Sequence, residues 1–391
     1  MPRARKLSNF LLHKELVFEN TGRSLPWRQI FHCEKKNKGA VCPKCANLST
    51  TGYDTRKVRL KDEPVRGKAI EIVVTKRRFY CKKCKKPFTE PLPGVLPKRR
   101  TTQRYRRAIL WAAENFADLE KVRTAYRCSY SFLYRVVYEQ LELKRRAQVN
   151  YPWPRRIGID EHGFRKQNRF VTMVVDHDNK RLREVVLGKT SGNLYESLSS
   201  IPGRENVELV SLDMSDSYKS FVKGFFPNAK MVADKFHVLR LLNGHINRTR
   251  KEITGDVRKN PVRKLLLRNR YRLSYFERLA LDRWLAEYDN LKEIYLWKEQ
   301  LHALYRCRGI KWATKKLRRM LDLMALSKLP EIRRLRGTLM RWREEILNFF
   351  IYGLTNARTE GFNNVAKTVK KRGYGFRNFR NYRLRLLSAC N

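Results

Sequence analysis

The chain has 391 residues, room for about two to three domains. With 42% apolar and 11% aromatic residues, wholesale disorder is excluded. Lys and Arg number 87 against 37 Asp and Glu, a net charge of +50. An excess that large on a folding composition calls for a polyanion partner, most simply nucleic acid. No apolar run of membrane-spanning length occurs, so neither a transmembrane helix nor a membrane partner is expected. The basic start Met-Pro-Arg-Ala-Arg-Lys leads into no clean apolar stretch or cleavage site, and a secretory signal is not expected either. Eight cysteines, four of them in two C-x2-C pairs, suit metal binding in a reducing, cytoplasmic compartment better than a disulfide framework.

The charge divides the chain. Residues 1–150 carry 36 basic and 13 acidic side chains, residues 151–238 carry 14 and 11, and residues 239–391 carry 37 and 13. A nearly neutral middle between two strongly basic flanks suggests a carboxylate-bearing site between two regions that grip a polyanion.

Residues 1–40 show little periodicity and are expected to form an arm or a short helical lead-in. Residues 41–95 alternate short β-rich runs, such as Ala69 to Val74, with basic turns. Within them, Cys42-Pro-Lys-Cys45 and Cys81-Lys-Lys-Cys84 are separated by 35 residues. Each pair sets two thiolates on one tight turn, and two such turns close a tetrahedron around Zn2+. A zinc ribbon fits the strand-like segment between them, and redox-active pairs are the alternative. Lys82 and Lys83 sit on the second turn, where they help ionise thiols and face DNA. Cys33, beside His32, is a further candidate ligand. Pro91, Pro93, Gly94 and Pro97 mark a linker.

From Thr101 to about Leu143 the apolar spacing is helical, with Ile109, Trp111, Ala112 and Phe116 near a 3.6 period. Within residues 100–148, a helix Leu119 to Tyr126, a turn around Cys128 and a second helix opening at Ser129 or Ser131 read as a helix-turn-helix. Phe132 or Leu133, with Val136 and Val137, would pack inward. Tyr130, Tyr134 and Arg135 would face a DNA groove. An ordinary helical hairpin is the alternative.

Residues 155–238 change texture. Ile157 to Phe164, Phe170 to Asp176 and Leu182 to Leu187 read as three successive strands. Helix Asn193 to Ser200, strand Val207 to Asp213, helix Ser217 to Phe225 and strand Lys230 to Asp234 follow. This order predicts a mixed five-stranded sheet with helices packed on it. Residues 239–352 are amphipathic and helical throughout. Residues 353–391 form a basic helical tail broken near Gly373 and Gly375.

Period two sets Gly158 and Asp160 on one face of the first strand of this sheet and Ile157 and Ile159 on the other. Asp213 ends the fourth. If these strands are neighbours, the two aspartates project side by side, and adjacent carboxylates in a basic protein call for a cation between them. Mg2+ (or Mn2+) suits such oxygen ligands and the hydrolysis of a phosphodiester. A third carboxylate is available from Glu360, the one acid after Glu345 among nine Lys and Arg. At helical spacing Glu360, Asn364, Lys367 and Lys371 share a face, joining a metal-seeking carboxylate to phosphate-seeking cations. A solvated glutamate is the plain alternative. Asp216 competes with Asp213, and Asp234 and His237 are possible accessory residues.

The phrases GIDEHGF (158–164), LDMSDSY (212–218), ADKFHV (233–238), TEGFNN (359–364) and KKRGYGFRNFRNY (370–382) resemble the ISL-three family of bacterial insertion-sequence transposases, over almost the whole chain. The resemblance implies a multidomain α+β protein: zinc ribbon, helix-turn-helix, and a ribonuclease-H-like catalytic domain interrupted by a long all-α insertion. It implies Asp160, Asp213 and Glu360 as a DDE triad, with 52 and 146 residues between them. It further implies metal-dependent cleavage of double-stranded DNA at the element's terminal repeats and strand transfer to target DNA. The protein would act as a homodimer or larger assembly on the bacterial nucleoid. The rivals are a non-catalytic DNA-binding regulator and a structure-specific nuclease.

Overall fold

A computed structural model describes residues 16–22, 24–92, 94–148, 151–165, 169–255 and 261–391. The basic N-terminus and Pro93 of the expected linker lie outside the described residues. Two compact units emerge, Met1–Gln148 with Val369–Arg385, and Val149–Thr368 with Leu386–Asn391.

The first unit opens with strands β1 (Leu16–Thr21), β2 (Arg28–Lys35), β3 (Ala40–Val41), β4 (Leu48–Ser49), β5 (Gly52–Val65), β6 (Lys68–Cys81) and β7 (Lys86–Thr89). The order β1-β2-β6-β5, with β7 also on β6, makes one sheet, and β3-β4 is a separate hairpin. The arm or helical lead-in expected over residues 1–40 is therefore corrected for its described part. It contains two strands, and β2 runs parallel to β6 with Cys33 opposite Val74. That pairing is between segments far apart in sequence, so local periodicity carries no trace of it. Cys33, Leu60, Ile72 and Val74 fill the core of this sheet.

Helices α1 (Gln103–Asn115), α2 (Leu119–Ala125) and α3 (Tyr130–Gln148) follow. Thr102 caps α1 by accepting from the Tyr105 amide, and Asp118 caps α2 from the Lys121 amide. Such caps contribute about 1 kcal/mol each. Asp62, buried on β5, accepts from the Thr102 hydroxyl at 2.6 Å and from Arg104 Nε at 2.7 Å, which ties the sheet to the start of α1. Ile109, Ala112, Leu133, Val136, Val137 and Leu384 share one helical core. Trp111, counted above with that apolar spacing, points outward instead and is 59% exposed. Residues 353–391, expected to close the catalytic part, divide between the two units. Val369–Arg385 belongs to the first unit, because Leu384 is buried in this core and Arg380 pairs with Glu142.

The second unit contains β8 (Arg156–Arg165), β9 (Arg169–Asp176), β10 (Arg181–Leu187), α4 (Ser191–Leu198), β11 (Leu209–Leu212), α5 (Asp216–Phe225) and β12 (Lys230–Ala233). The sheet order is β10-β9-β8-β11-β12. β8, β9 and β10 form an antiparallel meander, while β8, β11 and β12 run parallel. The element order is the expected β-β-β-α-β-α-β. Trp153 packs edge-on to Phe226 at 5.0 Å between ring centres, and Phe221 stacks on Phe225 at 4.9 Å. Burying each such ring stabilises by roughly 1.5–3 kcal/mol.

Helices α6 (Lys235–Arg240), α7 (Asn243–Thr254), α8 (Pro261–Leu267), α9 (Tyr275–Ala286), α10 (Asp289–Leu304), α11 (Ile310–Ala325), α12 (Pro330–Arg341) and α13 (Arg343–Tyr352) make the all-helical stretch. Helix α14 (Ala357–Arg372) comes next, and α15 (Phe379–Ala389) ends the chain. Among the described residues no helix is long and apolar enough to cross a membrane.

Candidate active site and metal centres

The hairpin β3–β4 makes the first cysteine knuckle. The Ala46 amide donates to the Cys42 carbonyl at 2.9 Å, and Ala46 adopts a positive φ of 58° to close the turn. The second knuckle sits between β6 and β7, where Cys81 pairs with Lys86. The ligand atoms of Cys42, Cys45, Cys81 and Cys84 all lie within 4.8 Å of one another. Cys45 Sγ is 3.5 Å from Cys81 Sγ, close to the roughly 3.8 Å edge of a tetrahedron with zinc–sulfur bonds of about 2.3 Å. The backbone amides of Lys44 and Cys45 bring the Cys42 thiol down to about 7. Cys84, hydrogen-bonded to Cys45 and partly desolvated, is pushed up to about 12. The quartet can hold a tetrahedral metal ion, and four thiolates suit zinc. Cys33 is not part of it. It is fully buried in the sheet, where desolvation raises its thiol to about 12. Lys82 and Lys83 are exposed on the second knuckle.

The carboxylates gather where the parallel pairing of β8, β11 and β12 stops, midway along β8 and just past β11 and β12. Ile159 pairs with Leu212, and Leu212 with Ala233. One step further along, Asp160, Asp213 and Asp234 stand abreast. Asp213 lies just past β11, which stops one residue earlier than the strand end expected from sequence, and its Oδ1 accepts from the Met214 amide at 2.9 Å. Asp160 is buried, and its Oδ1 accepts from the Glu161 amide at 2.8 Å. Burial, with Asp213 and Asp234 adding repulsion, raises the Asp160 carboxyl to about 6 against the pull of the Glu161 amide and His237.

His237 lies between two of these acids. Its Nδ1 is 2.9 Å from Asp213 Oδ1 and 3.0 Å from Asp234 Oδ2. Burial opposes its protonation, but those two hydrogen bonds carry it up to about 10. Three carboxylates face one imidazolium, so negative charge is left over. Hard oxygen donors with excess negative charge fit a divalent cation.

Helix α14 closes the site. Gly158 on β8 leaves room for it. A Cβ there would come within 2.6 Å of Thr359 Oγ1 and His177 Nε2 and 2.8 Å of Asn356 Oδ1. Ser211 donates to Asn356 Oδ1 at 3.0 Å, and Thr359 donates to the same atom at 2.6 Å. This buried polar lock fixes the first turn of α14, which carries Glu360. One turn on, Asn363 Nδ2 donates to Asp160 Oδ2 at 2.7 Å.

The structure thus brings Asp160, Asp213, Asp234 and His237 together. Glu360 is half-buried on the adjoining helix turn. Among the described residues the cysteine quartet is the one group of three or more His, Cys, Asp or Glu ligand atoms mutually within 4.8 Å, so the Glu360 carboxylate does not join the aspartates at that range. Asp216 stands apart in the first turn of α5, 3.5 Å from Arg341 with its side chain 65% exposed. Asn364 and Lys367 are exposed and bonded to each other at 3.2 Å, and Lys371 is exposed further along α14. Sequence reasoning missed Asn363, Asn356, Thr359, Ser211 and His177. The signal was present for Asn363, since a residue three positions after Glu360 shares its helix face as well as one four positions after.

In the first unit, α3 opens after Ser129, whose hydroxyl accepts from the Phe132 amide at 3.3 Å. Leu133, Val136 and Val137 are fully buried, while Tyr130, Tyr134 and Arg135 are exposed. Tyr130 donates its hydroxyl to Glu120, which also pairs with Arg123.

Comparison with known proteins gives this architecture a class. A family model described as a transposase, that of the ISL-three (ISL3) DDE proteins, matches residues 157–386, more than half of the chain. A second, the zinc finger of the transposases IS204/IS1001/IS1096/IS1165, matches residues 38–84. The protein is a DNA transposase, an enzyme that cleaves and transfers DNA. Over 385 residues it is 24% identical to the transposase for insertion sequence element IS1001 of Bordetella parapertussis, covering 95% of this chain and 93% of that one. It is 25% identical over 300 residues to the transposase for insertion sequence element IS1557 of Mycobacterium tuberculosis, covering 68% and 66%. The chain belongs to the ISL-three family of insertion-sequence transposases.

Proposed function

We propose that Asp160, Asp213 and Glu360 are the DDE triad of a ribonuclease-H-like domain whose α6–α13 stretch is an insertion, and that the triad holds Mg2+ (or Mn2+). The observation that carries this is the convergence of Asp160 and Asp213 where the parallel pairing of β8 and β11 stops, beside a helix anchored to Asp160 through Asn363. The strand order β10-β9-β8-β11-β12 supports the ribonuclease-H-like assignment. Glu360 reaches the aspartates by a side-chain change on an already anchored turn. Asp234 and His237 act as accessory residues that hold Asp213. Bound divalent ions supply charge neutralisation at the attacking and leaving oxygens.

The chain's own groups do the rest. Asn363 and the Glu161 amide each hold one oxygen of Asp160 and so aim its carboxylate. Lys367, Lys371 and Asn364 line the continuation of α14 for backbone phosphates. Water first attacks a phosphodiester at the element end and frees a 3′-hydroxyl. That hydroxyl then attacks a phosphodiester of target DNA, the displaced strand leaving as its own 3′-hydroxyl. No side chain becomes bonded to DNA.

The ribbon and the α2–α3 helix-turn-helix would recognise the terminal repeats, with Tyr130, Tyr134 and Arg135 toward base edges and Lys82 and Lys83 on phosphates. Two ends handled together imply a homodimer or larger assembly, working on the nucleoid of a bacterial cytoplasm. The test is a strand-transfer assay with element-end DNA and Mg2+. Asp213→Asn and Glu360→Gln should abolish cleavage and joining while leaving DNA binding intact. Full activity in either variant rejects the triad. Cleavage without joining by the wild type would instead indicate a nuclease.

A further inference from the structure

A groove between α10 and α11 takes no part in the carboxylate site. It encloses about 780 Å³, and its lining includes Trp297, Cys307, Trp312, Lys316, Arg319 and Leu323. Along α11, Trp312, Lys316, Arg319 and Leu323 fall four, three and four residues apart, which aligns them on one helix face. That face is not core. Trp312 is 62% exposed, and Leu323 and the facing Leu296 of α10 are about half exposed. The Lys315 ammonium lies 5.9 Å from the centre of the Trp312 ring. Among the described residues none of Lys315, Lys316 and Arg319 forms an ion pair. An open aromatic and apolar slot is thus rimmed by three cations without an ion-pair partner among the described residues.

We propose that this groove takes an unpaired nucleotide of single-stranded DNA, its base stacked on Trp312 and its flanking phosphates on Lys315, Lys316 and Arg319. Three arguments select that occupant. An aromatic ring stacks on any base whose face is free, and the cations complete the site by tracking the backbone. A duplex hides its base faces within its own stack and offers Trp312 nothing to stack on. A second copy of the chain would bring its own net charge of +50 towards the same three cations. The inference rests on the chain acting on DNA and is independent of which carboxylates form the triad. Cutting and joining create strand ends whose terminal bases can leave their partners, and the groove would hold one of them.

The test titrates full-length wild type, Trp312→Ala, Trp312→Phe and the double variant Lys316→Ala, Arg319→Ala with a single-stranded oligodeoxynucleotide carrying 2-aminopurine, and with its duplex. Wild type should quench the 2-aminopurine fluorescence. Trp312→Ala should lose the quench and bind the single strand roughly 5- to 100-fold more weakly, while Trp312→Phe keeps most of both. Duplex affinity should stay unchanged in the two tryptophan variants. The charge variant should flatten the salt dependence of single-strand binding. All four proteins should melt alike, because the substituted side chains are not core. Equal single-strand affinity in Trp312→Ala and wild type overturns the proposal, as does an equal loss on duplex. Dissociation of a wild-type oligomer by Trp312→Ala overturns it too, making the groove a contact between copies.

Discussion

Asn363 on α14 donates to Asp160 on β8 at 2.7 Å, across 203 positions of sequence. The Glu161 amide takes the other oxygen of the same carboxylate. Both oxygens are therefore aimed before any ligand arrives, and the group is held ready in a poorly solvated place. Pre-aimed donors of this kind are what electrostatic catalysis requires.

That readiness has a stability cost that can be measured. Asp160 ionises near 3.8 when unfolded and near 6 when folded. Folding therefore binds a proton between those values, and stability falls as pH rises through that window. Above it the full penalty, about 3 kcal/mol, is present. Asp160→Asn removes the charge; its oxygen keeps the bond from the Glu161 amide, and its NH2 can donate to Asn363 Oδ1 once that amide turns over. Without divalent ions at pH 7.5, the variant should be more stable than wild type by up to about 3 kcal/mol. The gain should vanish below pH 4. Added Mg2+ should raise the melting temperature of wild type and not of the variant. A variant no more stable than wild type at pH 7.5 would contradict this account.

Gly158→Ala tests the closure of α14. The added Cβ meets Thr359 and His177 at 2.6 Å and Asn356 at 2.8 Å; Thr359 and Asn356 belong to the buried lock, and His177 Nε2 lies 3.0 Å from its Ser211 Oγ. Overpacking of this sort costs about 1–3 kcal/mol. A shift of the turn bearing Glu360 by about 1 Å should lower strand transfer about 100-fold. Calorimetry and the strand-transfer rate check the two effects separately. A stable variant with wild-type activity would show that the position of α14 does not matter.

Much of this was legible in sequence for a physical reason. Alternating Ile157, Gly158, Ile159 and Asp160 declares a two-faced strand, and the cysteine spacing declares two tight turns. These are local signals. What stayed hidden depends on partners distant in sequence. β2 reads as featureless until β6 lies beside it. Leu384 looks like part of a basic tail until it is seen buried against Ile109 and Leu133. Asn356 and Ser211 are unremarkable polar residues until the sheet and helix bring them within 3.0 Å. Asp216 competed with Asp213 in one dimension, and strand register and exposure set the two apart.

The zinc site should depend on the quartet alone. Cys42→Ser combined with Cys81→Ser removes one ligand from each knuckle, and metal analysis should fall from one zinc per chain to none. The free energy that zinc contributes to such sites, of order 10–16 kcal/mol, should leave the knuckles unfolded, with lower affinity for DNA. Cys33→Ala is the control. Cys33 is buried in the sheet core, so this variant should lose some stability but retain its zinc. Unchanged zinc in the double variant, or zinc loss in the control, would require a different ligand set.

If the exposed start of α3 meets DNA as proposed, two kinds of contact can be told apart there. Tyr130 is already bound to Glu120, which leaves Tyr134 and Arg135 as the freer groups. Tyr134 stacks on Tyr138 with 5.8 Å between ring centres, so its ring is held in a fixed attitude and suits reading of a base edge. Arg135 is exposed and has the reach for a phosphate. Arg135→Ala should weaken binding about equally on every duplex and reduce the slope of log affinity against log salt by roughly 1. Tyr134→Ala should leave that slope alone and narrow the gap between terminal-repeat and unrelated DNA. Titrations on both duplexes at several salt concentrations measure both quantities. If neither substitution moves either quantity, α3 is a core helix and recognition lies elsewhere in the chain.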